Sequence, residues 1–315
     1  MDEAPFHADV LRDGGGAPLA PGRAVWLRTD DGVRVRAAHW PGAGAGTVLL
    51  FNGRTEYVEK YGAVASALSA GGWHVVSLDW RGQGLSDRLL ADPMKGHVAR
   101  FADYQRDVAA LAGWLGVMGL PRPWHLIGHS MGGAIGLAAM QAGLPIASAM
   151  FTGPMWAIRF PPGVRPLARA IAALRGIPAV GEAYAPTTGP ESYVLTAPFE
   201  GNALTTDREM FAMMQEQARE VARFALGGPT IGWLGEALAA MAMLAAAPPP
   251  PVPALCVLGS DEAIVDAARV RRLFARWPAG RLLVREGMRH EVLMEGLAER
   301  ERVLSEAMEM FARAG

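Results

Sequence analysis

Cysteine is nearly absent from this chain of 315 residues: the one present, Cys256, lies inside the apolar run ALCVLG. A single thiol cannot form a disulfide within the chain, so no oxidising compartment is required, and its neighbours predict a buried core thiol. There is no charge excess either. Lys and Arg number 30 against 31 Asp and Glu, interspersed along the chain, for a formal net charge of -1. That removes the electrostatic footprint a nucleic-acid partner needs. Long hydrophobic runs are missing too: ALAAMAMLAAA, at 237–247, stops at four prolines, short of the roughly 20 residues of a membrane span. The first residues, MDEAPFHADVLRDGGG, carry acids where a secretory signal needs positive charge, and no apolar core follows them. The expectation is a cytoplasmic protein.

Metal and nucleotide patterns are absent as well. His7, His39, His74, His97, His125 and His129 show no ligand spacing, and His290-Glu291 has Met294 where a zinc-hydrolase helix has its second histidine. GAGAG, at 42–46, precedes a β-like run instead of following one, which makes it a loop and not a dinucleotide fingerprint. No metal and no cofactor is expected.

What is present is core. With 51% hydrophobic and 19% charged residues, the chain can fill a large α/β interior. Residues 24–40 read as two strands turning at Asp31-Gly32. TVLLF, HVVSL, WHLIG and IASAMF then read as buried strands separated by helical periods, the pattern of a mostly parallel sheet with crossover helices. Tyr57, Tyr61, Val64 and Leu68 share one helical face, and Phe101, Tyr104, Val108, Leu111 and Leu115 trace another. After PPPPVP, an extended connector at 248–253, the alternation resumes with ALCVLG, a helix around Val270 to Phe274, the strand RLLVRE and a closing helix from about Glu291 to Ala314. Residues 155–228 break the rhythm with seven prolines between short helical pieces. They read as a helical lid inserted between 1–154 and 229–315, the two parts of one core.

The chemistry centres on WHLIGHSMGGAIGLAAM, residues 124–140. Ser130 there is either a helix N-cap or a nucleophile. Its place between the end of a strand and a helix of small residues is that of a nucleophile elbow, which exposes Oγ and aims the Met131 N–H where an oxyanion would form. A base and an acid should follow in the order acid, then histidine. GSDEAIVD supplies Asp261, Glu262 and Asp266 after one strand, and EGMRHEVLMEG supplies His290 after the next. NGRTEY, after TVLLF, is placed to give a second oxyanion N–H.

NGRTEYVEKYG, SLDWRGQGLSDR, GHSMGG, GSDEAIVD and GMRHEVLMEG occur in this order. Over roughly residues 22–313 the chain resembles the α/β-hydrolase superfamily, in its branch of monoglyceride lipases, lysophospholipases and serine-aminopeptidase-like enzymes. The resemblance implies an α/β-hydrolase fold with a helical cap, Ser130 as nucleophile, His290 as general base, and the N–H groups of Met131 and Arg54 as the oxyanion hole. It places Glu262 on the acid, three residues after Gly259, with Asp261 as the alternative. Asp266 reads better as the N-cap of the next helix. Glu56 matches an acidic residue of the oxyanion loop, in a site-shaping role, while Asp79, Arg81 and Ser86 fall in a family turn and read as loop architecture. There are departures. Asn52 replaces the usual histidine, a glutamate stands where aspartate is commoner, and Arg54 replaces a small residue, its guanidinium either pointing to solvent or, near the site, favouring a substrate phosphate or carboxylate.

The implied partner is a small ester or monoacyl lipid, with MFAMM at 210–214, Met155, Trp156 and Trp233 as candidate lining, against ordinary core packing for most of them. An aminopeptidase using Glu182, Glu191, Glu200 or Glu209 to hold a free amine, and a ligand-binding protein on the same fold, are the rival readings. The arginines Arg159, Arg165, Arg169 and Arg175 raise a peripheral membrane contact through the cap, against a plain solvated helix face.

Overall fold

A computed structural model describes residues 2–13 and 19–314, and of Arg169 the backbone only. Among the described residues nine strands form one sheet: β1 (Glu3–Ala4), β2 (Arg23–Arg28), β3 (Arg34–Trp40), β4 (Thr47–Phe51), β5 (His74–Asp79), β6 (Trp124–His129), β7 (Ile146–Thr152), β8 (Ala254–Gly259) and β9 (Gly280–Arg285). Their order across the sheet is β1-β2-β3-β5-β4-β6-β7-β8-β9. Neighbours from β1 to β5 on that side pair antiparallel, and those from β5 to β9 pair parallel. β2 and β3 are the expected hairpin, with Gly32 at φ 86 in its turn.

The helices are α1 (Gly62–Ala70), α2 (Tyr104–Val117), α3 (Ser130–Gln141), α4 (Val164–Ala173), α5 (Pro178–Gly181), α6 (Tyr193–Thr196), α7 (Arg208–Glu220), α8 (Ile231–Ala246), α9 (Ala267–Phe274) and α10 (Leu297–Arg313). Strand residues alternate between two cores. Leu49, Phe51, Leu78 and Leu126 pack with α2, α3, α8 and α9, while Val48, Leu50, Val75 and Ile127 pack with α1, α7 and α10. Covered on both faces, β4, β6 and β8 are buried at every position, which is why they read as unbroken apolar runs. Cys256 is buried on β8.

The chain goes from β4 to β5 on one side and then to β6 on the other, so the sheet's switch point falls between β4 and β6. Crevices form outside the carboxyl ends of strands at such a point. Between β7 and β8 the chain runs through α4 to α8, and α8 packs on α3 and α4.

Two helix starts differ from expectation. Tyr57 is extended, a 3-10 turn spans Val58–Tyr61, and α1 begins only at Gly62. The closing helix starts at Leu297 and not near Glu291. Thr205 and Thr206 draw the Glu295 carboxylate out of line, and Lys60 does the same to Glu291, leaving only a 3-10 turn at Val292–Met294.

Candidate active site

β6 ends at His129 and α3 starts at Ser130, whose φ of 48 lies in the left-handed region that a side chain resists. The tight turn exists because α3 lies almost on the neighbouring strand. A Cβ on Gly132 would stand 2.1 Å from the Phe51 carbonyl oxygen, and only glycine permits that approach. Ser130 is thereby lifted to the carboxyl end of β6, partly exposed, beside the loop that follows β4. Its carbonyl accepts from the Met155 N–H at 2.9 Å.

The loops after β8 and β9 bring together the expected base and acid. His290 Nδ1 lies 2.7 Å from Glu262 Oε2. The second oxygen, Oε1, accepts from the N–H groups of Ile264 (2.7 Å) and Val265 (3.0 Å), which turns the first toward the imidazole. Asp261 points outward and takes the Ser260 hydroxyl, while Asp266 caps α9 through the Arg269 N–H. Burial works against charging His290, but the Glu262 carboxylate outweighs it and the net shift is upward. Burial likewise opposes the Glu262 anion, and His290 with the two backbone N–H groups holds it below the usual range.

Ser130, His290, Arg54, Glu56, Met155, Met214 and Trp233 all line one cavity of about 550 Å³. Trp156 does not. Its indole N–H donates to the Gly133 carbonyl and its ring stacks on Phe274 and Trp277, so it belongs to the core behind the sheet. Met210 and Met213 are likewise core.

The loop after β4, where an oxyanion donor is expected, is braced by side chains. Glu56 accepts from the Gly53 N–H, and Gln83 Oε1 accepts from the Thr55 N–H at 3.2 Å. The Arg54 N–H between them has no acceptor among the described residues. Met131 sits in the first turn of α3, where N–H groups lack helical acceptors. Asn52, the departure from histidine, donates to the Leu78 carbonyl at 2.9 Å and shapes the same loop. In the turn after β5, Asp79 pairs with Arg36 and accepts the Val58 and Leu85 N–H groups, Ser86 bonds the Asp79 carbonyl, and Arg81 pairs with Asp31 and Asp107. These three are architecture, as read.

Sequence reasoning missed the group beneath the site. Glu56 and Glu291 both lie 2.7 Å from Lys60 Nζ, Tyr61 donates to Glu56 at 2.9 Å, and His129 Nε2 is 3.6 Å from Glu56. Glu56, His129 and Glu291 hold their ligand atoms within 4.8 Å of one another. The ammonium of Lys60 is already the cation between the two carboxylates, so the donor set does not fit a metal. Burial keeps His129 neutral, its pKa pushed down to about 3. Lys60 and Glu291 are 231 positions apart, and only the fold joins them.

Residues 42–296 match the sequence family described as Serine aminopeptidase, S33 (Hydrolase_4). The chain is 34% identical to lysophospholipase L2 of Escherichia coli (strain K12) over 296 residues, covering 89% of this chain and 83% of that protein. It is 31% identical to a probable lysophospholipase L2 of Haemophilus influenzae over 259 residues, covering 82% of this chain and 80% of that protein. Among solved structures it superposes on the monoglyceride lipase of Saccharomyces cerevisiae with a TM-score of 0.73, at 19% identity, covering 92% of this chain and 94% of that one. The chain is therefore a member of the Serine aminopeptidase, S33 family of hydrolases, with the α/β-hydrolase fold.

Proposed function

We propose that the protein is a serine carboxylic ester hydrolase that acts through an acyl-enzyme on monoacyl lipids. The observation that carries this is His290, paired with Glu262 at 2.7 Å, lining the same cavity as a serine held at positive φ. In this reading Glu262 fixes the imidazole so that Nε2 takes the Ser130 proton as Oγ bonds to the ester carbonyl carbon. The N–H groups of Met131 and Arg54 hold the resulting oxyanion, each worth about 3 kcal/mol. Collapse breaks the C–O bond, and His290 returns the proton to the departing alcohol. Water, deprotonated by His290, then attacks the acyl carbon and releases the acid and free Ser130.

Support for the substrate comes from the lining and the relatives. Met155, Met214, Leu204, Leu226, Trp233 and Ile264 give the cavity an apolar wall suited to an acyl chain. The 34% and 31% identical relatives are named lysophospholipases. Residues 155–228 act in this reading as a lid that excludes water. The lid also supplies a surface for a cytoplasmic enzyme to meet a membrane: Val164, Leu167, Leu174 and Ile177 are exposed by 38%, 60%, 51% and 52%. Among the described residues, no helix is long and apolar enough to cross a membrane.

The test is intact mass after a fluorophosphonate, on wild type and Ser130→Ala, with p-nitrophenyl esters of increasing chain length. One adduct, absent from the variant, with turnover rising toward medium and long acyl chains, is expected. No adduct on folded protein removes the reading. The family description gives the aminopeptidase reading a place, and of the four glutamates weighed for it only Glu191 lines the cavity. Faster cleavage of an aminoacyl-naphthylamide than of any ester would establish it.

A further inference from the structure

Arg54 brings a charge into the cavity without a counter-ion. Its Nη2 donates to the Gly227 carbonyl at 2.6 Å, its guanidinium lies 5.3 Å from the centre of the Trp233 ring, and its Nε is buried with no acceptor among the described residues. No carboxylate among those residues pairs with it, in contrast to Arg36, Lys60 and Arg81, each of which sits between two. Burial without compensation lowers its pKa to about 10.

The fold nevertheless holds this cation in place. A Cβ on Gly96 would stand 2.3 Å from Nη2 and 3.1 Å from Nε, so the backbone there closes on the edge of the guanidinium that carries both. The Trp233 indole N–H is fixed by the Tyr104 hydroxyl at 3.1 Å. The side that remains is the cavity it shares with Ser130. A guanidinium fixed on the cavity wall without a counter-ion draws a planar or tetrahedral oxyanion into the cavity.

A count of bonds points to one anion. From the Arg54 backbone N to Cζ is six bonds, and from the ester carbonyl carbon of a 1-acyl glycerophospholipid to its phosphorus is also six. With the carbonyl oxygen on the Arg54 N–H, the two arms are equal in length counted in bonds. We propose that the Arg54 guanidinium binds the headgroup phosphate of a monoacyl glycerophospholipid and makes the enzyme favour charged lysophospholipids over neutral monoglycerides. This rests on the ester-hydrolase reading above.

The test compares kcat/KM for a 1-acyl-glycerophosphoethanolamine and a monoacylglycerol of the same short acyl chain, in wild type, Arg54→Met and Arg54→Lys. Arg54 also supplies a backbone donor, so the readout is the ratio of the two substrates and not either rate. The ratio is expected to fall by about tenfold to a hundredfold in Arg54→Met, the scale of a lost charged hydrogen bond, and to recover in part in Arg54→Lys. On wild type, sn-glycerol 3-phosphate is expected to compete with p-nitrophenyl butyrate, which needs no folded variant to observe. An equal loss on both lipids, or no competition by glycerol phosphate, overturns the proposal and leaves Arg54 as a tether between the oxyanion loop and Gly227. Wild type that hydrolyses simple esters but neither lipid overturns the monoacyl-lipid reading, and this proposal with it.

Discussion

His290 is held between opposed effects, and the balance sets a pH dependence. Burial alone would lower its pKa; the Glu262 carboxylate at 2.7 Å reverses the sign. The imidazole works as a base only when neutral, so activity should rise as pH passes a His290 pKa above its ordinary value. Glu262→Gln removes the charge and leaves burial, so an NMR titration of His290 should shift to lower pH. The turnover of that variant should fall about 10⁴-fold, with the fold intact by circular dichroism. An unchanged titration would mean that Glu262 does not govern the histidine. The family pattern counted from Gly259 points to Glu262, but Asp261 is adjacent and equally charged. What separates them is invisible in one dimension: the Ile264 and Val265 N–H groups turn Glu262 inward, and Asp261 faces solvent.

At the scale of elements, the joint between β6 and α3 stores strain at the proposed nucleophile. Ser130 at φ 48 costs about 1 kcal/mol or more for any side chain. Ser130→Gly should therefore be more stable than Ser130→Ala by about 1 kcal/mol in urea unfolding, with both inactive. Gly132→Ala should lose about 3 kcal/mol in the same assay, because its Cβ would meet the Phe51 carbonyl at 2.1 Å. This joint was legible, since a strand, a Gly-flanked serine and a small-residue helix are local patterns. Contacts between distant loops were not. Lys60→Met leaves Glu56 and Glu291 facing each other without their cation, a loss of about 4 kcal/mol at neutral pH. One carboxyl must then hold a proton, its folded pKa raised above the unfolded value, so the missing stability should return as pH falls and be lost as it rises. Thermal unfolding of Lys60→Met from acid to neutral pH checks the sign, and Glu291→Gln added to it should recover part of the loss.

For the whole molecule, the proposed lipid substrate raises the question of how a chain with balanced charge would reach an interface. The arginines suspected of this role are mostly engaged. Arg159 donates to the Glu262 carbonyl and Arg175 pairs with Glu236, while the Arg169 side chain lies outside the described residues. The apolar residues beside them are not engaged. Val164, Leu167 and Leu174 fall at i, i+3 and i+10 along α4 and the turn that follows it, one face left to solvent on the segment proposed as the lid. An apolar face flanked by basic residues lies in the plane of a bilayer surface instead of crossing it. Each leucine moved from water into lipid contributes about 2 kcal/mol. Leu167→Asp with Leu174→Asp should therefore abolish co-sedimentation with vesicles of mixed neutral and anionic phospholipid. Turnover of lysophospholipid presented in those vesicles should fall about tenfold or more, while p-nitrophenyl butyrate in free solution is hydrolysed as before. If vesicle binding survives the double substitution but falls steeply with added salt, basic residues and not the apolar face make the contact.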